Sequence, residues 1–145
     1  MFIQGEDLNT SGSLAIENEE AKLNIAQLEW GTHRASGIAG TFSLAEMTGM
    51  LDIDYAGAIA GKQMQAHIHT MYSGVRPDEK TKPSLFSRLK SVTERFTINT
   101  SLSKWQFGDF TGKDIVPFSV IRDPGVTAFY AGKNDDITGF ILDDG

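Results

Sequence analysis

Turn-forming residues recur along this chain at intervals too short for packed helices, and this spacing constrains the fold more than any other feature. Fifteen glycines and many Ser and Thr residues punctuate the 145 residues, which is typical of strands joined by turns. Between the turns, Leu51, Ile53 and Tyr55 alternate with Asp52 and Asp54. Because successive side chains of a strand point to opposite faces, this alternation predicts a strand with one face in water.

A second alternating run, at residues 63–69, predicts a hairpin with the run at 51–55, turning at Ala56-Gly57 and sharing its apolar face. Further strands are predicted at 14–16, 23–30, 38–44, 96–99 and 118–120, with a last pair between 129 and 141. The fold class predicted is all-β: a closed antiparallel β-barrel of about eight strands whose interior is filled by side chains. Phe129 is expected to anchor the closing strand in the core. Pairing of the last strand with the first would leave no exposed edge.

Residues 83–96 break the two-residue rhythm. Apolar residues recur there at helical spacing, namely Leu85, Phe86, Leu89 and Val92. With Ser84 as a candidate N-cap, this pattern predicts a short helical or irregular insertion at about residues 73–95. The domain prediction is an N-terminal arm at residues 1–12 and a single β-barrel domain at residues 13–145, because this length suits one hydrophobic core.

Composition excludes several classes of function. The net charge of −6 and the pI of 4.9 argue against nucleic acid and anionic membrane surfaces as partners, since phosphate groups require a basic face. The absence of cysteine rules out disulfides, a thiolate zinc site and a cysteine nucleophile. No stretch approaches the roughly 20 apolar residues of a membrane helix, and residues 1–12 do not have the pattern of a secretory signal. We therefore expect a domain that does not insert into a membrane.

Four stretches carry a resemblance to a known family: "LEWGTHRASG" at 28–37, "TGMLDIDYAGAIAGKQMQAHI" at 48–68, "RFTINTSLSKWQFGDFTG" at 95–112 and "AFYAGKNDDITGFI" at 128–141. In this order they resemble the β-barrel domain of the transferrin-binding protein B family and related bacterial surface lipoproteins. The resemblance implies a non-enzymatic cell-surface or secreted domain that captures a host protein or haem through loops at one barrel end. It also implies an extracellular or outer-membrane location with a signal segment absent from this chain. A cytoplasmic location is the alternative.

The most suggestive candidate for partner binding is the segment 76–95, which carries six basic and three acidic residues, or +3, whereas the rest of the chain carries seven and sixteen, or −9. Charge and aromatic area together favour a docking surface for an acidic protein. The predicted partner-binding residues are Tyr72, Arg76, Lys80, Lys82 and Phe86. The alternative interpretation is a solvated loop over the mouth of the barrel.

His67 and His69 lie two residues apart, on one face of the predicted strand, where imidazoles are able to bind a metal or haem iron. The more favoured interpretation is two polar residues on the wet face, so no cofactor is expected and haem is only an alternative. No catalytic motif is present, and no enzymatic activity is expected. Trp30 and Trp105 are predicted to be core residues, with a role as ligand platforms as the alternative. A structural subunit of a surface filament or phage particle is the alternative function.

Overall fold

The structure, a computed structural model, describes residues 2–5, 8–76, 84–131 and 137–142. In these ranges it contains eleven strands, which form one antiparallel sheet, and a single helix. The strands are β1 (Phe2–Gly5), β2 (Leu8–Glu17), β3 (Glu20–Trp30), β4 (His33–Ser43), β5 (Thr48–Ile59), β6 (Lys62–Gly74), β7 (Phe96–Phe107), β8 (Phe110–Gly112), β9 (Val116–Asp123), β10 (Val126–Ala131) and β11 (Ile137–Leu142). The helix is α1 (Leu85–Glu94).

The strands follow one another across the sheet almost entirely in chain order. The ladders run from β1 to β11, except that β8 and β9 both pair with β7, at different positions along it. The predicted antiparallel β class and the single short helix are therefore confirmed. The described ladders do not join the two ends of the sheet, so the structure is an open sheet where a closed barrel was predicted.

One face of the sheet, called the inner face here, carries the aliphatic rows. The register aligns Ile53 of β5 with Ile68 of β6 and Leu102 of β7, as alternation of side chains requires. Buried apolar side chains are concentrated on or next to the central strands. Among the described residues they are Ala35, Ile38, Leu44, Met47 and Ala66. Phe129, predicted to lie in the core, is instead 39% exposed because β10 lies near the end of the open sheet.

The predicted β5–β6 hairpin is confirmed, but its predicted turn at Ala56-Gly57 is wrong. Both residues lie inside β5, and the chain turns at Ala60-Gly61, where both φ angles are positive, 50° and 74°. Two consecutive positive φ angles are typical of the two-residue turns that match strand twist. Gly57 is required inside β5 for lack of space, because a Cβ there would lie 2.6 Å from both His33 Nδ1 and Tyr55 Oη.

Helix α1 begins where the sequence predicted, because Ser84 has extended backbone angles and its hydroxyl accepts a hydrogen bond from the Ser87 amide at 3.2 Å. At the other end of the domain, residues 2–5 and 8–12, assigned to an N-terminal arm, belong to β1 and β2. The boundary expected between residues 12 and 13 therefore falls inside a strand that pairs along its length with β3. β1 and β8 are strands that the sequence did not predict.

Candidate functional site

Tyr72, on the inner face of β6, holds helix α1 against the sheet. Its hydroxyl donates a hydrogen bond to the carbonyl oxygen of Val92 at 2.7 Å, and its ring lies 5.5 Å from that of Phe42 and 5.9 Å from that of Phe96. Val92 is in the last turn of the helix, where carbonyls have no intrahelical partner. Burial raises the pKa of Tyr72 above its usual 10.0, so the phenol remains a donor at neutral pH.

A second set of contacts brings the β2–β3 and β4–β5 turns to the same place. Glu19 accepts a hydrogen bond from the amide of Leu44 at 2.8 Å through its carbonyl oxygen, and its carboxylate pairs with the guanidinium of Arg88 on α1. The amide of Gly74 donates to the carbonyl of Met47 at 2.7 Å. These two turns, the end of β6 and α1 together form what we call the helix end of the sheet.

Helix α1 leaves its largest apolar side chains in solvent at the helix end. Leu85, Phe86 and Leu89 are all exposed, Phe86 by 79%, and at 3.6 residues per turn they span an arc of about 100°. We call these three residues the apolar stripe. The helix has no fully buried residue, and it faces the sheet through Val92 and Arg88. The stripe is therefore not used to build the core.

The cations around α1 are largely paired with carboxylates of the same chain. Arg76 lies 2.9 Å from Glu46, and two further pairs form on the surface, Lys90 with Glu94 at 3.4 Å and Arg95 with Asp123 at 2.7 Å. Exposed pairs of this kind stabilise a protein by about 0–1 kcal/mol. They lower the positive potential of this end, so apolar contact is the stronger basis for recognition.

Of the predicted partner-binding residues, Tyr72, Arg76 and Phe86 lie in the described part of the chain. Phe86 lies on the exposed side of α1, whereas Tyr72 is half-buried and bonded to the same helix. Arg76 is exposed and follows β6. Lys80 and Lys82 lie outside the described residues. The sequence contained Leu85 and Leu89 as a helical signal, but the pattern did not reveal that they face solvent beside Phe86.

The two histidines of β6 face the aspartates of β5 on the outer, polar face. His67 Nδ1 lies 2.9 Å from Asp54 Oδ1, and His69 Nδ1 lies 2.8 Å from Asp52 Oδ1. The register places each pair directly opposite. Sequence reasoning predicted the hairpin and considered both sets of residues separately, but it did not pair them. The pairing explains both histidines as partners of carboxylates on a wet face.

Support for a metal or haem at these histidines is weak in the described residues. No group of three or more His, Cys, Asp or Glu side chains there is arranged to hold a metal ion. The apolar groove beside Tyr72, lined by Leu23, Phe42 and Leu51 among others, has a volume of ≈ 270 Å³. This groove lies on the face opposite the histidines.

An aromatic group that the sequence did not predict lies near the opposite end of the sheet. The rings of Trp30 and His33 stack at 5.5 Å, and His33 Nδ1 lies 2.6 Å from the hydroxyl of Tyr55. Trp30 is at the border of full exposure, 36%, so it is not the core residue that was predicted. Trp105 is half-buried, and its indole nitrogen donates to the carbonyl of Asp114 at 3.3 Å.

In the described ranges the protein is an open antiparallel sheet, with one helix attached at the helix end. Comparison with known proteins found no matching family profile, no matching curated protein and no matching solved structure. The resemblance to the transferrin-binding protein B family therefore stays a prediction without support from a relative. In the described part of the chain, no helix has the length and apolar character needed to cross a bilayer.

Proposed function

We propose that the protein is a non-enzymatic binding domain that captures a protein partner through the helix end of its sheet. The observation that carries this proposal is the apolar stripe of α1, in which Phe86 is the most exposed large apolar side chain among the described residues. Exposed apolar groups that are clustered rather than scattered are typical of interaction sites. Aromatic anchors of this kind contribute much of the binding energy at interfaces.

The stripe fits a partner with a hydrophobic groove and an acidic rim. Amphipathic helices bind such grooves through anchors spaced three or four residues apart, and Leu85 and Leu89 have this spacing. The segment 76–95 has a sequence charge of +3, which favours encounter with an acidic surface. The ion pairs at the helix end reduce the strength of this electrostatic attraction but do not abolish it.

The helix is held in place before any partner arrives. The Tyr72–Val92 hydrogen bond and the Arg88–Glu19 ion pair fix α1 at two separate points. A binding element that is already ordered loses less conformational entropy on association. This arrangement favours a binding role for a helix that adds little to the core.

The proposed location, a bacterial cell surface or the medium after secretion, derives from the family resemblance alone. Closure of the sheet into a barrel, also proposed from the sequence, would require β11 to pair with β1 or β2. Capture of a partner by α1 does not depend on closure. Haem remains an alternative cargo, with His67 and His69 as its candidate ligands.

The test uses immobilised full-length protein exposed to host serum, with captured proteins identified by mass spectrometry and their affinities measured by surface plasmon resonance. The double variant Phe86→Ser/Leu89→Ser should weaken capture by about 30-fold, since loss of a hot-spot residue costs about 2 kcal/mol or more. The matched control is Phe110→Ser, which alters an aromatic residue on β8 that is also largely exposed, by 68% against 79% for Phe86. Equal capture by the wild type and the double variant would refute the proposal. Haemin titration tests the alternative. If haemin gives a Soret shift and the double variant His67→Ala/His69→Ala abolishes it, the binding site lies on the outer face and not at α1.

A further inference from the structure

The last three strands, β9, β10 and β11, which we call the C-terminal flank, expose apolar side chains on both faces of the sheet. Phe129 and Ile141 continue the inner face, whereas Ile121, Val126 and Leu142 lie on the outer face by register. The large apolar residues exposed in these strands are Val116, Phe118, Ile121, Val126, Phe129, Ile141 and Leu142. Antiparallel sheets usually keep one face polar, so this flank has the composition of a covered surface.

The outer edge of β11 lacks the features that normally protect an exposed strand. In the described residues β11 pairs only with β10, and its sequence, ITGFIL, contains no charged residue and no proline. Natural edges are usually blunted by lysine, proline or very short strands. β1, at the other end of the sheet, has only four residues. β1 covers only residues 8–11 of β2, so residues 12–17 of β2 also form an edge among the described strands, but β11 is the edge whose whole length lacks a charged residue.

The exposed area of the chain leaves room for such a partner. The chain exposes 10297 Å², whereas a compact monomer of 15.8 kDa is expected to expose about 7,300 Å². A standard interface removes about 800 Å² from each partner.

Charge indicates the kind of strand that fits this edge. Asp136 directly precedes β11 in the sequence and Asp143 directly follows it, and the chain as a whole carries −6. A second copy paired antiparallel through β11 would bring like charges together at both ends, which is destabilising. β1 is followed in the sequence by Glu6 and Asp7, so antiparallel pairing with it would bring like charges together at one end.

We propose that the edge of β11 binds an extended segment of a partner protein that is apolar at alternate positions and carries Lys or Arg at both ends. The segment adds a strand to the sheet through backbone hydrogen bonds. Its apolar side chains cover Ile141 on one face or Leu142 on the other. This binding surface is separate from the apolar stripe of α1. An experiment can therefore refute strand addition at β11 without refuting partner capture by α1, and the reverse.

The test is titration of full-length protein with a peptide of about nine residues that has valines at alternate positions and two lysines at each end. Binding is followed by calorimetry and by amide hydrogen exchange, which should slow in β11. A peptide with glutamates in place of the lysines is expected to bind at least tenfold more weakly. Equal binding of the two peptides, or no binding of either, would overturn the proposal.

Variants locate the binding edge. Ile141→Lys and Leu142→Lys should each weaken binding by tenfold or more, whereas Ile16→Lys, at a 70% exposed position on β2, should not. Gly139→Cys supplies a second readout, because the chain has no cysteine and a Cβ at Gly139 would meet nothing within 4 Å. A fluorophore there should respond to the lysine peptide and not to the glutamate peptide. Unchanged binding by Ile141→Lys and Leu142→Lys, or a wild-type dimer that both variants dissociate, would refute the assignment.

Discussion

Replacing Met47 should destabilise this protein more than replacing any exposed methionine. Met47 is 0% exposed and lies in the β4–β5 turn, where its carbonyl accepts the hydrogen bond from Gly74. Truncation of a buried methionine to alanine costs about 2–5 kcal/mol through lost burial and the remaining cavity. We expect Met47→Ala to lower the free energy of unfolding by about 3 kcal/mol, and Tm by roughly 10 °C.

The backbone of Met47 supplies an internal check. Its φ of 54° is left-handed, which costs a residue with a Cβ roughly 1–2 kcal/mol. Met47→Gly removes this cost, so we expect it to be about 1 kcal/mol more stable than Met47→Ala, despite its smaller side chain. Urea unfolding followed by far-UV circular dichroism measures all three proteins beside Met71→Ala, an exposed control. A Met47→Ala loss equal to that of the control would refute the reasoning.

Two further predictions concern the helix and a glycine. Tyr72→Phe should cost about 1 kcal/mol, because it leaves the Val92 carbonyl without its donor, and hydrogen exchange should quicken in α1 and not in β5. Since burial raises the folded-state pKa of Tyr72, its unfolded form loses the proton first, and stability should fall as pH rises above 10 in the wild type but less in Tyr72→Phe. Gly12→Ala should cost about 1–3 kcal/mol, since its Cβ would lie 2.6 Å from the backbone oxygen of Asn24, whereas Gly139→Ala, with open space, should be neutral. Equal melting temperatures for the two alanine variants would contradict this steric argument.

Local alternation was sufficient to predict most of the sheet. The runs around Leu51 and Ile68 predicted two paired strands, and Ser84 predicted the start of α1, because both signals depend on neighbouring residues. Turn positions were less accessible. Gly57 has the composition of a turn residue, but contacts with His33 and Tyr55, more than twenty residues away for His33, keep it inside a strand.

Sequence alternation and helical spacing could not predict whether the sheet closes or which surfaces bind a partner. Alternation assigns Phe129 to one face of a strand, but it does not say whether anything covers that face. Likewise, the helical spacing of Leu85 and Leu89 predicts a stripe and not its direction relative to the sheet. The Asp–His pairs needed the register between β5 and β6, which a single sequence sets only through the length of the connecting turn.

The order of strands in the sheet also has a consequence for how the chain reaches this structure. Because nearly every ladder joins consecutive strands, hairpins are able to form and add to one another while the polypeptide leaves the ribosome. The β6–β7 ladder differs, since it must close across residues 75–95, and long loops slow such contacts. We expect the first six strands to assemble before the rest, and α1 is able to dock on them before β7 pairs, because its anchors Tyr72 and Glu19 both lie in that part of the chain.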